Sequence, residues 1–380
     1  MRFIHIADLH LGSSPEAEFL WGKNRAEEIW DSFAAVIDAC NEKEIDLLLI
    51  AGDLFDRPPV WADLDRAAKL FARLTATEVV MIAGASDYIT EDSPWKTYPW
   101  QSWVHMLSDK HCMNVQLGNS YYLGFPWSEN VTCLRGKECE SVVFEDLDTE
   151  VYGLSYHTRE IKEPKYNDLQ PEKKAGFSIL LGHGGDAKHI PIDRKKLLLS
   201  GFDYIALGYE HKASVMQSMH MAYAGSLEPL SVQETGKHGF ILGEINEDST
   251  TIRFVPFACR EYINIKVRLS SDITEDELEE KLTAAINQYG RDNIFTISLE
   301  GRYQPKEPYD RARLLALGNV ADVKDGTMPD YNLVALLDEH KDDMIGMYLE
   351  EFLKEPAGTR EQKALYCGLE ALLNAVQKTQ

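Results

Sequence analysis

Short apolar runs alternate with helical patterns along the first half of the chain. The candidate strands are residues 3–7, 45–51, 78–83, 177–181 and 204–207, and hairpin-like strands follow near 213–224 and 238–256. Between the first three runs, residues 25–40 and 64–74 place apolar side chains at helical spacing. Strands that are apolar throughout and are separated by helices are typical of a parallel sheet buried on both faces. We therefore predict an α/β domain.

The pattern changes near residues 256–260. Residues 262–269 alternate as a half-exposed strand, and a capping-box sequence at Thr274 and Glu277 precedes a predicted helix, after which residues 294–299 form another strand. Beyond Tyr331 the apolar residues follow helical spacing to the end of the chain. These changes predict three segments: an α/β domain over residues 1–257, a small α+β capping module over 258–330 and a C-terminal helical segment over 331–380.

Composition describes an ordinary globular protein with an acidic surface. The 380 residues are 44% hydrophobic and 27% charged, with a formal net charge of -23. Such a charge argues against a general nucleic-acid surface, which would be basic. It leaves nucleic acid open as a substrate, because a bound metal ion or a basic partner subunit can supply the positive charge.

The remaining compositional signals concern location. The six cysteines are scattered and form no Cys-x-x-Cys pair, which favours reduced thiols. Met1 leads directly into a strand-like run rather than into a basic and then apolar secretory signal. No apolar run reaches the ~18 residues of a membrane span. We expect a cytoplasmic protein without a membrane segment.

Candidate metal ligands follow the predicted strands. They are Asp8, His10, Asp53, His183 and His211, which follow four of the apolar runs. In open α/β sheets, ligands bind outside the carboxyl ends of the strands. Carboxylate oxygens suit hard divalent ions, and imidazoles add affinity for Mn, Fe or Zn. The ordered set therefore predicts a metal centre at one edge of the sheet.

Each motif taken singly has a plainer interpretation. Asp8 and His10 lie on one face if their segment is extended, where they could chelate one ion, or they could be a capping Asp and a surface His. Asp53 after Gly52 could bridge two ions, with Asp56 orienting a ligand, or mark an ordinary β–α turn. A lone histidine such as His183 or His211 is more often structural.

Taken together, these residues resemble the calcineurin-like metallophosphoesterases. The resemblance rests on Asp8-x-His10, Gly52-Asp53, Gly84-x-x-Asp87, Gly182-His183 and Gly208-x-x-His211, over about residues 1–245. The segments Phe3 to Gly12, Gly52 to Asp56 and Tyr223 to Ser226 look most like the SbcD-type branch, to which YhaO-like proteins are related. The resemblance implies a β-sandwich of two mixed sheets flanked by helices, two metal ions, commonly manganese, and phosphodiester cleavage beside an SbcC-type coiled-coil ATPase.

The resemblance also assigns residues to the two metal sites. One ion would be held by Asp8, His10, Asp53 and His211, which are all present. The second site keeps Asp53 and His183, whereas Ala85 and Tyr209 stand where the family has an Asn and a His. Ser86 occupies the position of the catalytic His, and Asp87 remains as the residue that would orient it. We expect one bound ion, manganese in view of the family, with Fe or Zn as alternatives, a second ion bound weakly or not at all, and weakened catalysis.

Three functions remain open from the sequence. The first is a DNA-repair exonuclease subunit, a metal-dependent hydrolase that acts on DNA with the ATPase. The second is a non-catalytic scaffold that binds DNA ends or the ATPase and keeps a structural metal. The third is a phosphomonoesterase of small substrates. Two further points also remain open. Tyr209 could bind trivalent iron as a phenolate, or it could only fill space. The chain could also form a homodimer.

Two further segments could contact partners. The apolar stripe of the C-terminal helices could pack on the ATPase, or the helices could close only on one another. The tryptophans Trp95, Trp100 and Trp103 could stack on bases, although core packing is the plainer role.

Overall fold

The computed structural model describes residues 1–57, 61–89, 127–172, 174–216, 220–303, 309–353 and 359–377. The described strands are β1 (Arg2–Ile6), β2 (Leu47–Ala51), β3 (Glu78–Ile82), β4 (Val131–Leu134), β5 (Glu140–Phe144), β6 (Thr149–Gly153), β7 (Phe177–His183), β8 (Tyr204–Gly208), β9 (Ser214–Met216), β10 (Met221–Tyr223), β11 (Gly239–Ile245), β12 (Thr250–Pro256), β13 (Tyr262–Leu269), β14 (Ile294–Tyr303) and β15 (Val320–Pro329). The described helices are α1 (Arg25–Glu42), α2 (Trp61–Phe71), α3 (Arg194–Leu198), α4 (Glu275–Tyr289), α5 (Arg311–Leu315), α6 (Leu333–Glu339), α7 (Met344–Leu353) and α8 (Thr359–Gln377).

Two six-stranded mixed sheets form the first compact unit, Met1–Tyr262. The strand order is β12-β11-β1-β2-β3-β4 in one sheet and β5-β6-β7-β8-β10-β9 in the other. Strands β1 to β4 and β6 to β8 run parallel, and for β1, β2, β3, β7 and β8 the continuous apolar sequence predicts this. The predicted α/β fold of two mixed sheets flanked by helices is confirmed.

The core of this unit lies in layers. Side chains of both sheets meet between them, among them Phe3, Leu49 and Tyr204. Helices α1 and α2 cover the outer face of the first sheet, where Phe33 and Phe71 pack edge to face. Because β1, β2, β7 and β8 are buried in this sandwich, the loops at their carboxyl ends are held at one edge.

The second compact unit, Ile263–Gln380, contains a three-stranded sheet and helices. The capping box is present: Thr274 Oγ1 accepts from the Glu277 N–H, and the Glu277 side chain accepts from the Thr274 N–H. Strand β15 was not expected, because Val320–Pro329 is rich in Asp, Gly and Pro. It forms through parallel pairing with β14, so partner contacts outweigh its weak strand propensity.

The described part of the C-terminal segment forms the three helices α6 to α8. The expected stripe is divided after His340, where Asp343 Oδ1 accepts from the N–H groups of Ile345 and Gly346 and starts α7. Residues 94–103, including Trp95, Trp100 and Trp103, lie outside the described residues. Among the helices that are described, none is long and apolar enough to cross a membrane.

Candidate metal centre

The five predicted ligands converge at the carboxyl ends of β1, β2, β7 and β8. Two glycines permit this approach. A Cβ on Gly52, which has φ +86°, would lie 2.5 Å from His183 Nδ1, and a Cβ on Gly84 would lie 2.2 Å from Asp53 Oδ1. Glycine at both positions lets the loops after β2 and β3 close on the ligands.

Asp8 and His10 do not lie on an extended segment, so that part of the sequence prediction is wrong. Their φ angles are +52° and +47°, in the left-handed region. The backbone N–H groups of Asp8 and His10 donate to the carbonyl oxygens of Gly52 and Asp53, at 3.1 Å each. Pairing with the loop after β2, rather than alternation along a strand, therefore sets the direction of both side chains.

His10 is held between two carboxylates. Its Nδ1 lies 2.9 Å from Asp56 Oδ1, and its Nε2 lies 3.7 Å from Asp53 Oδ2. Burial alone would lower the pKa of His10, but the hydrogen bond to Asp56 and the charges of Asp53 and Asp8 raise it to about 9. The Asp56 contact fixes the ring so that Nε2 faces the centre.

Asp53 stands between two histidines. His183 Nε2 lies 3.6 Å from Asp53 Oδ1, while His183 Nδ1 lies 2.9 Å from the Ala51 carbonyl oxygen. Burial would raise the pKa of Asp53, but His183, His10 and the hydrogen bonds from Ser86 lower it. The carboxylate is therefore ionised and flanked by one imidazole on each side.

The fourth strand supplies His211 and a positioning residue that sequence reasoning missed. His211 Nδ1 lies 3.1 Å from Glu234 Oε1, and Glu234 also accepts from the Leu230 N–H at 2.9 Å. Burial would lower the pKa of His211, but Glu234 and Asp8 raise it. Its separation of 23 residues from His211 hid Glu234 from any local motif.

Asp8 joins the two halves of the centre. Its carboxylate accepts the Tyr209 N–H at 2.9 and 3.1 Å. Burial raises the pKa of Asp8, against the opposing effect of the facing imidazoles of His183 and His211. In this pocket, one buried carboxylate therefore has a raised pKa and its neighbour Asp53 a lowered one.

The residues present fit a metal ion. Ligand atoms of Asp8, His10 and His211 lie within 4.8 Å of one another, and so do those of Asp8, Asp53 and His183. Nε2 of His10 and Nε2 of His183 are buried and, among the described residues, have no hydrogen-bond partner. A buried nitrogen without a partner is costly unless a ligand satisfies it. Because Asp8 belongs to both sets, the second set has one carboxylate more than the family assignment gave it.

The described residues directly after β3, 83–89, contain no histidine. Ala85 is buried against the outer core of the second sheet and has no ligand atom. Ser86 donates its N–H to Asp53 Oδ1 at 2.8 Å and its hydroxyl to Asp53 Oδ2 at 2.9 Å. Asp87 accepts from the N–H groups of Gly84 at 2.8 Å and Phe55 at 3.2 Å, so it ties this loop to the loop after β2.

The Tyr209 hydroxyl is engaged by residues other than the predicted metal ligands. Its hydroxyl donates to Asp186 Oδ2 at 2.5 Å and lies 2.9 Å from His189 Nδ1. Its ring packs edge-on against His183, with centroids 5.7 Å apart. Burial and the hydrogen bond to Asp186 raise the pKa of the phenol, which keeps it protonated. This geometry favours the space-filling interpretation over an iron phenolate.

Known proteins of three kinds are similar to the chain. It is 28% identical over 276 residues to the uncharacterized metallophosphoesterase YhaO of Bacillus subtilis, a match covering 67% of this chain and 60% of that protein. It is 27% identical over 295 residues to the DNA double-strand break repair protein Mre11 of Methanocaldococcus jannaschii, covering 72% of each. It is 25% identical over 309 residues to the SbcD subunit of the nuclease SbcCD from Staphylococcus saprophyticus, covering 74% of this chain and 75% of that one.

The family assignment follows from a match to the sequence profile of the whole family. The profile of the calcineurin-like phosphoesterases matches residues 1–213, which include all five predicted ligands. The predicted resemblance is confirmed, and the prediction of a metal-dependent phosphoesterase is confirmed at the level of the family. With the two mixed sheets and the ligand-bearing loops at one edge, the chain belongs to the calcineurin-like phosphoesterase family.

Proposed function

We propose that the chain is the nuclease subunit of a DNA-repair complex and hydrolyses DNA phosphodiesters with a bound divalent metal, most readily manganese. One observation supports this most strongly. The unpartnered Nε2 atoms of His10 and His183 face opposite oxygens of Asp53, at 3.7 and 3.6 Å, within the described part of the site. Relatives named as repair proteins and as a nuclease subunit supply the substrate class.

Each ligand has a partner that orients it. Asp8, His10, Asp53 and His211 would hold the tighter ion, with Asp56 and Glu234 fixing the two imidazoles. Asp53, His183 and Asp8 would hold the weaker one. When bound, the metal supplies Lewis-acid stabilisation of the phosphoryl oxygens and an acidified water. The backbone N–H of Tyr209 holds Asp8, and the buried sandwich excludes water from behind the ligands.

Catalysis by this site is weaker than that of a site with all ligands present. Ala85 contributes no ligand, the Tyr209 hydroxyl is engaged by Asp186, and Ser86 has no group that titrates near neutrality. The loss of one general acid or base typically costs about 10²- to 10⁴-fold in rate. Asp87 keeps its role in holding the loop, through Gly84 and Phe55.

A scaffold without catalysis is the second candidate, and one contact favours it. The two hydrogen bonds from Ser86 occupy both oxygens of Asp53, at 2.8 and 2.9 Å. An ion bridged by Asp53 must compete with these donors. In a scaffold, a metal ion held by Asp8, His10 and His211 would stabilise the fold and take no part in catalysis.

A coiled-coil ATPase is the partner that we propose for the C-terminal helices. Val334, Met344 and Met347 are 72%, 71% and 71% exposed, although α6 to α8 already share a core around Leu349 and Leu369. We propose that these three exposed side chains contact the partner. A basic partner would also offset the net charge of -23 during DNA binding.

We also propose that the protein is cytoplasmic, because its six cysteines are scattered and form no Cys-x-x-Cys pair.

The test compares three substrates on metal-depleted protein reloaded with manganese. We expect hydrolysis of linear DNA and of bis-p-nitrophenyl phosphate, a diester, and loss of both in Asp53→Asn. Asp38→Asn, which changes an exposed carboxylate paired with Arg73, is the matched control. Faster hydrolysis of p-nitrophenyl phosphate than of either diester would indicate a phosphomonoesterase. If none of the three substrates is hydrolysed in the presence of manganese, the non-catalytic scaffold is the remaining candidate function.

A further inference from the structure

His189 stacks on Tyr209, whose ring packs against the predicted ligand His183, and it has a carboxylate partner of the kind that catalytic histidines have. Its Nδ1 lies 2.9 Å from Asp186 Oδ1, so Asp186 accepts the proton on Nδ1. The same carboxylate oxygen accepts from the backbone N–H groups of Lys188 at 2.7 Å and His189 at 2.9 Å. A carboxylate that fixes Nδ1–H selects the tautomer and leaves Nε2 to exchange protons.

Tyr209 connects this histidine to the centre. The rings of His189 and Tyr209 stack with their centroids 4.9 Å apart. The Tyr209 ring also packs edge-on against His183, with centroids 5.7 Å apart. The turn between β7 and α3 is tight enough to hold His189 in place: the Gly185 N–H donates to the His189 carbonyl at 2.8 Å. A Cβ on Gly184, at φ +144°, would lie 2.4 Å from that oxygen.

Asp186 is ionised beside the His189 ring. The hydrogen bond from the Tyr209 hydroxyl is the largest of several effects that hold the pKa of Asp186 well below its usual range. The Asp186 carboxylate lies 2.9 Å from His189 Nδ1 and fixes the orientation of the ring. The His189 side chain is 19% exposed, so the ring is ordered by packing yet reaches the surface. The titratable side chains that contact the ring are Asp186 and Tyr209.

We propose that His189, oriented by Asp186, is the general acid of this site and replaces the imidazole that is missing at Ser86. The proposal rests on the proposed phosphodiesterase function. As water attacks, a new P–O bond forms and the P–O bond to the leaving group breaks. The electron pair stays on the leaving oxygen, which takes the proton from His189 Nε2. The attacking water loses a proton to solvent, and solvent returns one to His189.

The test uses leaving groups of different acidity. Nitrophenolate needs no proton to leave, whereas an aliphatic alcohol does. His189→Gln should lower kcat about 10²- to 10⁴-fold for a nucleoside diester and leave kcat for bis-p-nitrophenyl phosphate nearly unchanged. His220→Asn is the control, because His220 precedes β10 at the opposite edge of the sheet and Asn tolerates its φ of +44°. An equal loss on both esters, or no loss on either, overturns the proposal.

A second variant keeps the imidazole in place. Asp186→Asn removes the carboxylate that accepts the Nδ1 proton, so kcat for the nucleoside diester should fall while kcat for bis-p-nitrophenyl phosphate stays nearly unchanged. An equal effect on both esters counts against His189 even if His189→Gln fails to fold. The failures are distinguishable: if the unaltered protein hydrolyses neither ester, the phosphodiesterase function is wrong, whereas hydrolysis of both without the leaving-group effect rejects only His189.

Discussion

Ser86 donates twice to Asp53, through its backbone N–H at 2.8 Å and its hydroxyl at 2.9 Å. Ser86 therefore acts on the central carboxylate through both of its donor groups. Burial raises the pKa of Asp53, whereas His183 and His10 lower it, and these two hydrogen bonds lower it further. They also compete with any second ion for the same oxygens.

Metal occupancy should be unequal. We expect one manganese ion per chain at limiting concentration and a second only at large excess, because Ala85 and Tyr209 supply no ligand to the second site. Elemental analysis after equilibrium dialysis measures this. His10→Ala should remove the tight ion, while His183→Ala, its matched control, should remove only the weak one. Two ions of equal affinity would contradict the assignment.

Rebuilding the second site should raise activity. Ala85→Asn, Ser86→His and Tyr209→His together add two ligands and an imidazole, so manganese-dependent hydrolysis of a nucleoside diester should rise by about 10²-fold or more. Steady-state kinetics measure the gain. Ser86→His alone is the control, since it adds the imidazole without the ligands and should gain less. A folded triple variant with unchanged kcat would show that these positions do not limit the rate.

Metal binding should release protons near neutral pH. His10 in the metal-free protein has a pKa of about 9, so Nε2 is protonated at neutral pH and must lose its proton to bind. The stabilisation from protonated His10 is complete below its ordinary value of 6.5 and is lost as pH rises through about 9. Calorimetry of manganese binding in buffers of different ionisation enthalpy should give about one proton per ion. Heats that do not depend on the buffer would rule this out.

Partner binding should depend on the exposed apolar residues of the C-terminal helices. Met347→Glu should weaken association with the coiled-coil ATPase without changing the melting temperature, because the side chain is 71% exposed. Leu199→Glu, at an 85% exposed position in the first unit, should have no effect. Deletion of residues after 330 should abolish association. A truncated chain that still binds the ATPase in analytical ultracentrifugation would exclude this surface.

DNA binding by the isolated chain should be weak. With a net charge of -23, few phosphates can be neutralised and few counterions released. Fluorescence anisotropy with labelled duplex should give poor binding at physiological salt, and a marked gain when the ATPase is added. Tight binding that resists salt would mean that the chain has a basic surface of its own.

The sequence by itself determined the buried strands β1, β2, β7 and β8 and the order of the ligands that follow them. Continuous apolar runs such as Leu47–Ala51 report burial through their own composition, and the ligands follow them at the edge where parallel strands end. The orienting role of Asp56 was also within reach, since it lies close to Asp53 in the chain. These features depend on local pattern and on one topological rule.

Only the tertiary structure decided how the loops meet. The left-handed backbone of Asp8 and His10 follows from pairing with the loop after β2, and Tyr209 holds Asp8 from 201 residues away. Glu234 and His189 acquire their places in the same way, through loops that approach one another after the sheets have packed. Apolar periodicity records which side chains are buried, whereas the direction of a polar side chain depends on which distant backbone groups it contacts.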